Sequence, residues 1–328
     1  MGPMQLARDT ATTSPDSMQV IYGANEDYVL PALVSIWSMW QNSSQPVEVT
    51  LYVENMQQHS LDLIELARDR LGVPVRGEGF DETGFEEYAS QAMAYPVVSL
   101  LPLVLPRLVE RRCLFIDVDT LVMGDIWELL SADLKGMPIG ACVDMGQVLM
   151  EDRLCKVRAS DLIRPARARL KRKTHIDRIR NLGFVPGENY FNSGVLIMDC
   201  GVIRNQCPDW ESLTSIDKLR PYTSMPDQDR LNEFFAGRWF RLPLKWNVRT
   251  GLKRDFERKQ YKYRDVSEDL RVQIQEAIQG PKLWHFTGKR KPWIRRYRNS
   301  LLLRSRQGFK DYARVFDEFN AILNEVKE

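Results

Sequence analysis

The sequence predicts an α/β protein built on a mostly parallel sheet. Three observations carry that expectation. Apolar strand-like runs alternate with stretches of helical spacing from Met18 to Phe80, giving a β-α-β-α-β opening. A later apolar run, Cys113-Leu114-Phe115-Ile116, passes directly into Asp117-Val118-Asp119. Two further apolar runs, over 138–143 and 195–199, adjoin polar residues suited to one sheet edge.

Taken in order, residues 18–24 are the first strand, ending in Gly23-Ala24-Asn25-Glu26-Asp27-Tyr28. Val29, Leu33, Ile36 and Trp40 follow at helical spacing. This strand, small-residue turn and helix put Gly23, Ala24 and Asn25 at the carboxyl edge of the sheet, where open α/β folds bind ligands. Residues 47–53 are a second strand, 60–71 an amphipathic helix and 74–80 a third strand. The first turn has neither a G-x-G-x-x-G fingerprint nor a P-loop, so a nucleotide there must be held another way. Residues 99–109 read as an apolar helix entered through Pro102, and 125–130 as a short helix with Asp125 near its start. The strand over 138–143 stops at Asp144, a carboxylate that either faces the same cleft or makes a turn.

Alternation along a strand puts i and i+2 on one face, so Asp117 and Asp119 can converge on one ligand. Two carboxylates leaving a buried strand repel each other and lose solvation. A divalent cation that itself holds phosphates supplies the counter-charge. The plainer reading is an Asp-rich loop start. Downstream, Tyr190-Phe191-Asn192-Ser193-Gly194 leads into the strand over 195–199, and Asn192 and Ser193 offer hydrogen bonds to a polyol. Pro226-Asp227-Gln228-Asp229 has helix-start chemistry and can present Asp and Gln at a helix N-terminus. In Leu283-Trp284-His285-Phe286-Thr287-Gly288-Lys289-Arg290-Lys291-Pro292-Trp293 a short strand ends in His285, a glycine permits close approach, and three cations surround the turn. Phe309, Tyr312, Phe316, Phe319, Leu323 and Val326 mark a final amphipathic helix that docks on the body or on a partner.

With 328 residues, 44% apolar and 27% charged, the chain has ordinary globular composition and can bury a large core. Its net charge of +2 hides a segregation: 151–180 holds eleven Lys/Arg against four acids, and 282–310 holds ten with none. Such patches suggest an anionic partner. No RNP, KH or zinc pattern accompanies them, so nucleic acid is not expected. The longest apolar run, 96–109, is broken by Pro102, Pro106 and Arg107 and is too short to span a membrane. Residues 1–18 read as a disordered leader without the apolar core of a secretory signal. Five cysteines without zinc-type spacing suggest buried thiols in a reducing compartment, hence a cytoplasmic protein.

Five of these stretches, in order, resemble the family 8 retaining glycosyltransferases, a family that includes bacterial lipopolysaccharide galactosyl- and glucosyltransferases, glycogenin and galactinol synthase. They are Gly23 to Tyr28, Phe115 to Asp119, Tyr190 to Leu196, Asp227 to Asn232 and His285 to Trp293. The resemblance implies a GT-A fold, a Rossmann-like mixed, mostly parallel sheet flanked by helices, over 19–293. It leaves 151–188 as a basic acceptor-side lid and 294–328 as a basic, helical C-terminal appendage.

It further implies that Asp117, Asp119 and His285 hold Mn²⁺ or Mg²⁺ on the diphosphate of a UDP-sugar. Lys291 and the Gly288 backbone would bind that diphosphate. Gly23, Ala24, Asn25, Tyr28 and Val118 would hold the nucleotide. Asp144, Asn192, Ser193, Asp227 and Gln228 would surround the donor sugar, with Gln228, Asp227 and Asp144 nearest the chemistry and Gln228 in a positioning and electrostatic role. The implied acceptor is a saccharide or glycolipid, an anionic one on the charge of the basic patches, and residues 291–306 with Ile294, Tyr297 and Leu301-Leu302-Leu303 would suit an anionic membrane face.

Two positions depart from the family pattern. Asn25 stands where the family usually has an acid facing uracil, although an amide carbonyl accepts the same N–H. The usual Tyr-x-Arg before the metal strand is missing, since no Lys or Arg occurs from Gly77 to Pro106; a cation from 151–180 would have to replace it. Two other readings stay open: a catalytically lapsed sugar-nucleotide binder, and an NDP-sugar nucleotidyltransferase, which normally carries a Gly-rich loop not found here.

Overall fold

The computed structural model describes residues 18–81, 83, 85, 96–148, 187–215, 225–258, 266–300, 303 and 306–324. The leader and the body of the basic 151–188 segment, with the cation expected from it, lie outside the described residues. Ten strands occur among those described: β1 (Met18–Asn25), β2 (Val47–Glu54), β3 (Val75–Phe80), β4 (Arg112–Ile116), β5 (Thr120–Val122), β6 (Ile139–Val143), β7 (Phe191–Asp199), β8 (Trp239–Arg241), β9 (Val248–Arg249) and β10 (Leu283–His285).

Seven of them form a sheet in the order β3-β2-β1-β4-β7-β6-β8. The first four strands of that order run parallel, as the βαβ opening requires. Only β7 runs against its neighbours, β4 and β6. In consequence the C-terminal ends of β1, β4 and β6 and the N-terminal end of β7 share one edge. Asn25, Asp117, Asp144 and Asn192 are the residues at those ends, so the topology gathers them before any side chain is considered.

The helices lie where hydrophobic spacing puts them. Helix Val29–Gln41 is apolar almost all round and buried from Pro31 to Met39. It lies between the sheet and the C-terminal helix Gln307–Asn324, with Trp37 meeting Phe319 edge-on at 6.0 Å. The C-terminal helix therefore docks on the body: Phe309, Tyr312, Phe319 and Leu323 belong to the same core as β1 and β2. A 3₁₀ turn, Val97–Leu100, leads into helix Leu101–Leu108, with Pro102 in its first turn as expected.

The structure departs from the sequence reading at β7. The strand starts at Phe191 rather than 195, so Asn192 and Ser193 are strand residues and not part of a preceding turn. The reason is remote in sequence: the Asn232 amide donates to the Phe191 carbonyl at 2.9 Å and accepts from the Phe191 N–H at 2.8 Å, acting as a one-residue strand partner.

A second, small sheet, β5-β10-β9, branches off where β4 ends. β10 runs antiparallel to β5 with His285 opposite Thr120, and parallel to β9. No described helix is long and apolar enough to cross a membrane.

Candidate donor and metal site

The Asp-Val-Asp turn is fixed from both sides. The Asp117 N–H donates to the Gly194 carbonyl at 2.8 Å, which ties the turn to β7, and the Phe286 N–H donates to the Asp119 carbonyl at 2.8 Å, which ties it to β10. The Thr120 hydroxyl donates to the Asp117 carbonyl at 2.8 Å and lies 2.7 Å from the Ser35 hydroxyl on the buried helix. Pairing of Thr120 with His285 then sets the imidazole beside Asp119. Ligand atoms of Asp117, Asp119 and His285 all lie within 4.8 Å of one another.

Three features test whether this triad fits a cation. His285 Nε2 points at the acids, 3.1 Å from Asp119 and 3.5 Å from Asp117. His285 Nδ1 meets Asn247 Oδ1 at 2.8 Å, while the Asn247 NH₂ donates to Asn192 at 2.7 Å. With the amide thus oriented, the Nδ1 proton is the donor, and a neutral ring turns the Nε2 lone pair toward the carboxylates. That is the second-sphere arrangement of a metal-binding histidine. Finally, Gly194 leaves room: a Cβ there would stand 2.4 Å from the His285 ring and 2.5 Å from Asp117 Oδ2. The donor set of two carboxylates and one imidazole suits Mn²⁺ or a similar divalent ion.

The electrostatics agree with that fit. Burial and the charge of Asp119 push Asp117 up to about 7. Asp119 is held below the carboxylate range, because His285 and Lys291 outweigh the effect of its burial. His285 is raised despite burial, chiefly by Asp119. Lys291 pairs with Asp119 and donates to the Phe286 carbonyl at 2.9 Å, so its ammonium stands beside the triad. Gly288 takes a φ of +90°, a conformation that favours glycine and turns the chain between His285 and Lys291.

On the other side of β7, helix Pro226–Phe234 presents its first turn to Asn192 and Ser193. The Ser193 hydroxyl donates to Asp227 at 2.8 Å, and burial pushes Asp227 up to about 6. Gln228 is 4% exposed and fully engaged. Its carbonyl accepts from Asn192 Nδ2 at 2.9 Å and the Ser193 N–H at 3.1 Å; its NH₂ donates to Asp144 at 2.9 Å and Tyr190 at 3.1 Å. Tyr190 in turn donates to Asp229 at 2.5 Å. Asp144 does two jobs. One oxygen accepts from the Gly146 and Gln147 N–H groups as a turn residue, and the other accepts from Gln228 in the cleft.

At the far end of the edge, the Asn25 side-chain carbonyl is buried and has no hydrogen-bond partner. Tyr28 packs edge-on to Trp293 at 5.6 Å, joining the turn that follows β1 to the loop that follows β10. Val118 lies at the tip of the Asp-Val-Asp turn, partly buried against the core. Ala24 is buried, and Gly23 is small because Leu101 and Val98 crowd it, a Cβ there standing 2.9 Å from Leu101. The residues that sequence reading missed are Asn247, Gly194, Tyr190 and Asn232. Gly194, Tyr190 and Asn232 stood inside quoted stretches with no role attached, while Asn247 belongs to no stretch that carried a signal.

The comparisons with known proteins fall in line with this geometry. The family model for glycosyl transferase family 8 matches residues 19–296. General stress protein A of Bacillus subtilis (strain 168) is 25% identical over 285 residues, 84% of this chain and 87% of that protein. The probable glycosyl transferase Gly of Streptococcus gordonii is 24% identical over 186 residues, 56% of this chain but 20% of its own.

Among solved structures, the galactosyltransferase LgtC in complex with donor and acceptor sugar analogs superposes with a TM-score of 0.66 at 17% identity, covering 95% of this chain and 98% of that one. The bifunctional glycosyltransferase WbbM in its apo form gives 0.68 at 17%, covering 94% of this chain and 52% of that one. The fold is thus that of the GT-A sugar transferases. The chain belongs to glycosyl transferase family 8.

Proposed function

We propose that this glycosyltransferase moves a hexose, glucose or galactose, from a UDP-sugar to a saccharide or glycoconjugate acceptor with retention of anomeric configuration, in bacterial surface-glycan or glycoprotein assembly. The observation that carries the metal-dependent reading is the triad itself, with Gly194 leaving its space open and Asn247 orienting His285. Asp117, Asp119 and His285 hold the divalent ion, which when bound neutralises charge gathering on the departing diphosphate. Lys291 and the Gly288 backbone bind the diphosphate oxygens, and the unpartnered Asn25 carbonyl receives the uracil N–H. Ser193, Asn192 and Asp227 bind donor-sugar hydroxyls. Gln228, locked by four hydrogen bonds, presents its amide dipole to the reacting carbon without acting as a nucleophile. Asp144 orients Gln228, and the diphosphate oxygen that leaves takes the acceptor proton.

The engaged amide network favours a working site over a lapsed one. The four described cysteines, all buried free thiols, support a reducing, cytoplasmic setting. Peripheral membrane contact rests on cations more than on apolar residues, since Leu303 is 3% exposed and Tyr297 packs on the core while Arg295 and Arg296 face outward. The test is UDP release from a panel of UDP-sugars with Mn²⁺, with and without EDTA. Release with one hexose donor that stops on chelation is the expected outcome. No release from any donor would sink the enzymatic reading, and formation of UDP-sugar from a sugar 1-phosphate and UTP would favour the nucleotidyltransferase.

A further inference from the structure

Beyond the metal triad the cleft runs into a group of arginines that the donor reading does not use. Arg249, at the end of β9, lines the same pocket as Asp144, Asn192, Asn247 and Thr287. Its Nη2 meets Asp255 Oδ2 at 3.0 Å, and Arg254 Nη2 meets the other oxygen of that carboxylate at 3.2 Å. Two guanidinium groups thus share one acid that is 5% exposed. Both approach a single point, the place a Cβ on Gly251 would take, at 3.9 Å from Arg249 Nη1 and 3.6 Å from Arg254 Nη2.

Arg306, at the entrance to the C-terminal helix, joins them. Burial, and then the charges of Arg254 and Arg290, with a smaller share from Arg249, draw its proton affinity below the ordinary arginine range. The described ion pairs of Arg249 and Arg254 all end on Asp255, and Arg290 and Arg306 come from the stretch 282–310 that holds no acid. The Arg249 Nε is buried without a partner. Arg249 and Arg254 thus bring two positive charges to one carboxylate, and the turn that follows Arg306 packs on the same loop, a Cβ on Gly308 standing 3.0 Å from Thr250; an anion would offset the excess charge. Their forked donors match phosphate oxygens in pairs.

We propose that Arg249 and Arg254, with Arg306 beside them, form a phosphate-binding subsite for the acceptor, so that the enzyme takes a saccharide carrying a phosphoryl group. The proposal rests on the glycosyltransferase reading of the adjoining cleft. The donor diphosphate is served by the metal triad and Lys291. The arginine group instead reaches the cleft through Arg249, in a pocket whose lining includes Asp144 and Asn192, both bonded to Gln228. A molecule anchored by its charged end on the arginines extends from there toward the reacting centre.

Calorimetry on the full chain, with glucose 6-phosphate and methyl glucoside as probes and without UDP, tests the subsite directly. Wild type should bind the sugar phosphate at least tenfold more tightly than the neutral sugar. The double variant Arg254→Gln/Arg306→Gln, two side chains that are not core residues, should lose at least tenfold in sugar-phosphate affinity. Its thermal melt and its affinity for UDP with Mn²⁺ should stay as in wild type. Equal binding of the two probes by wild type overturns the proposal. Parallel loss of UDP affinity overturns it as well, because the arginines would then serve the donor. Phosphatidylglycerol vesicles form the third arm: vesicle binding that depends on these arginines and that glucose 6-phosphate cannot displace would assign them to a membrane surface instead. Failure of wild type to bind UDP with Mn²⁺ counts against the donor reading alone, since the sugar-phosphate arm is read without nucleotide.

Discussion

Asn247 Oδ1 lies 2.8 Å from His285 Nδ1, and this contact between the residue preceding β9 and the end of β10 decides which ring nitrogen faces the two aspartates. Replacing Asn247 with Leu removes the acceptor and frees the ring to turn or change tautomer. Outer-shell partners of this kind typically contribute ~10–100-fold to metal affinity. Mn²⁺ titration of Asn247→Leu followed by electron paramagnetic resonance should show a loss in that range with an unchanged far-UV spectrum. Wild-type affinity in the variant would mean that the ring is oriented by something else.

Gly194 has a sharper requirement. Its missing side chain is the space in which Asp117 and His285 approach each other. Gly194→Ala should abolish Mn²⁺ binding and UDP release together, because the Asp117 N–H bond to the Gly194 carbonyl leaves the backbone little freedom to retreat. Sugar-nucleotide activity within tenfold of wild type in that variant speaks against the metal assignment.

Proton linkage gives a third check. Asp117, pushed up to about 7, keeps its proton in the metal-free fold over a pH range where an unfolded aspartate has lost it. The folded state therefore binds more protons than the unfolded one there, and this group's contribution to stability is greatest below pH ~4 and fades as pH rises through ~7. His285, also raised, acts in the same direction, whereas Asp119, held low, has no proton to give. A cation competes with those protons. Mn²⁺ affinity should climb from pH 5.5 to 7.5 and then level off, with proton release seen calorimetrically in buffers of different ionisation enthalpy. A flat profile argues that Asp117 is ionised throughout.

Lys291 should act on ion and nucleotide in opposite senses. Its ammonium sits on Asp119 and opposes a bare cation, yet it is the compact charge proposed for the diphosphate. Lys291→Ala should bind free Mn²⁺ more tightly and UDP with Mn²⁺ about tenfold more weakly, as equilibrium dialysis would show. Changes of the same sign in both would remove the phosphate role.

Stability depends on the C-terminal helix. Phe319 is fully buried against Trp37, and Phe319→Ala should cost ~3–5 kcal/mol through lost contact and a residual cavity. Urea unfolding measures it. A loss under 1 kcal/mol would place the helix outside the cooperative core.

The sheet was legible because β2 alternates apolar with polar residues and β4 carries an apolar run, and the alternation with helices announces parallel connections. Asp117 and Asp119 were legible because they follow such a run. The route that brings His285 to them was not. It passes through β5 and β9, three and two residues long, too short for any periodicity to register. Asn247 lacked a signal for the same reason: its role comes from tertiary placement and not from its neighbours. The start of β7 was misjudged because a side chain on a distant helix, Asn232, extends the strand by hydrogen bonding to Phe191. The Arg249–Asp255 group escaped too, since Arg249, Arg254 and Asp255 follow no motif and Arg306 joins them from far along the chain.

The aromatic faces of Phe309 and Tyr312, both against Phe286, tie the last helix to the residue that follows His285. Asp119 and His285 are 166 positions apart, and the helix that buttresses the latter begins only at Gln307. On a ribosome, the strands up to β7 can pair while the rest of the chain is still being made. The triad of Asp117, Asp119 and His285 gains its aromatic buttress only when the final turns emerge. In chain order the sheet is thus nearly complete before the segment that carries His285 and its buttress has been made.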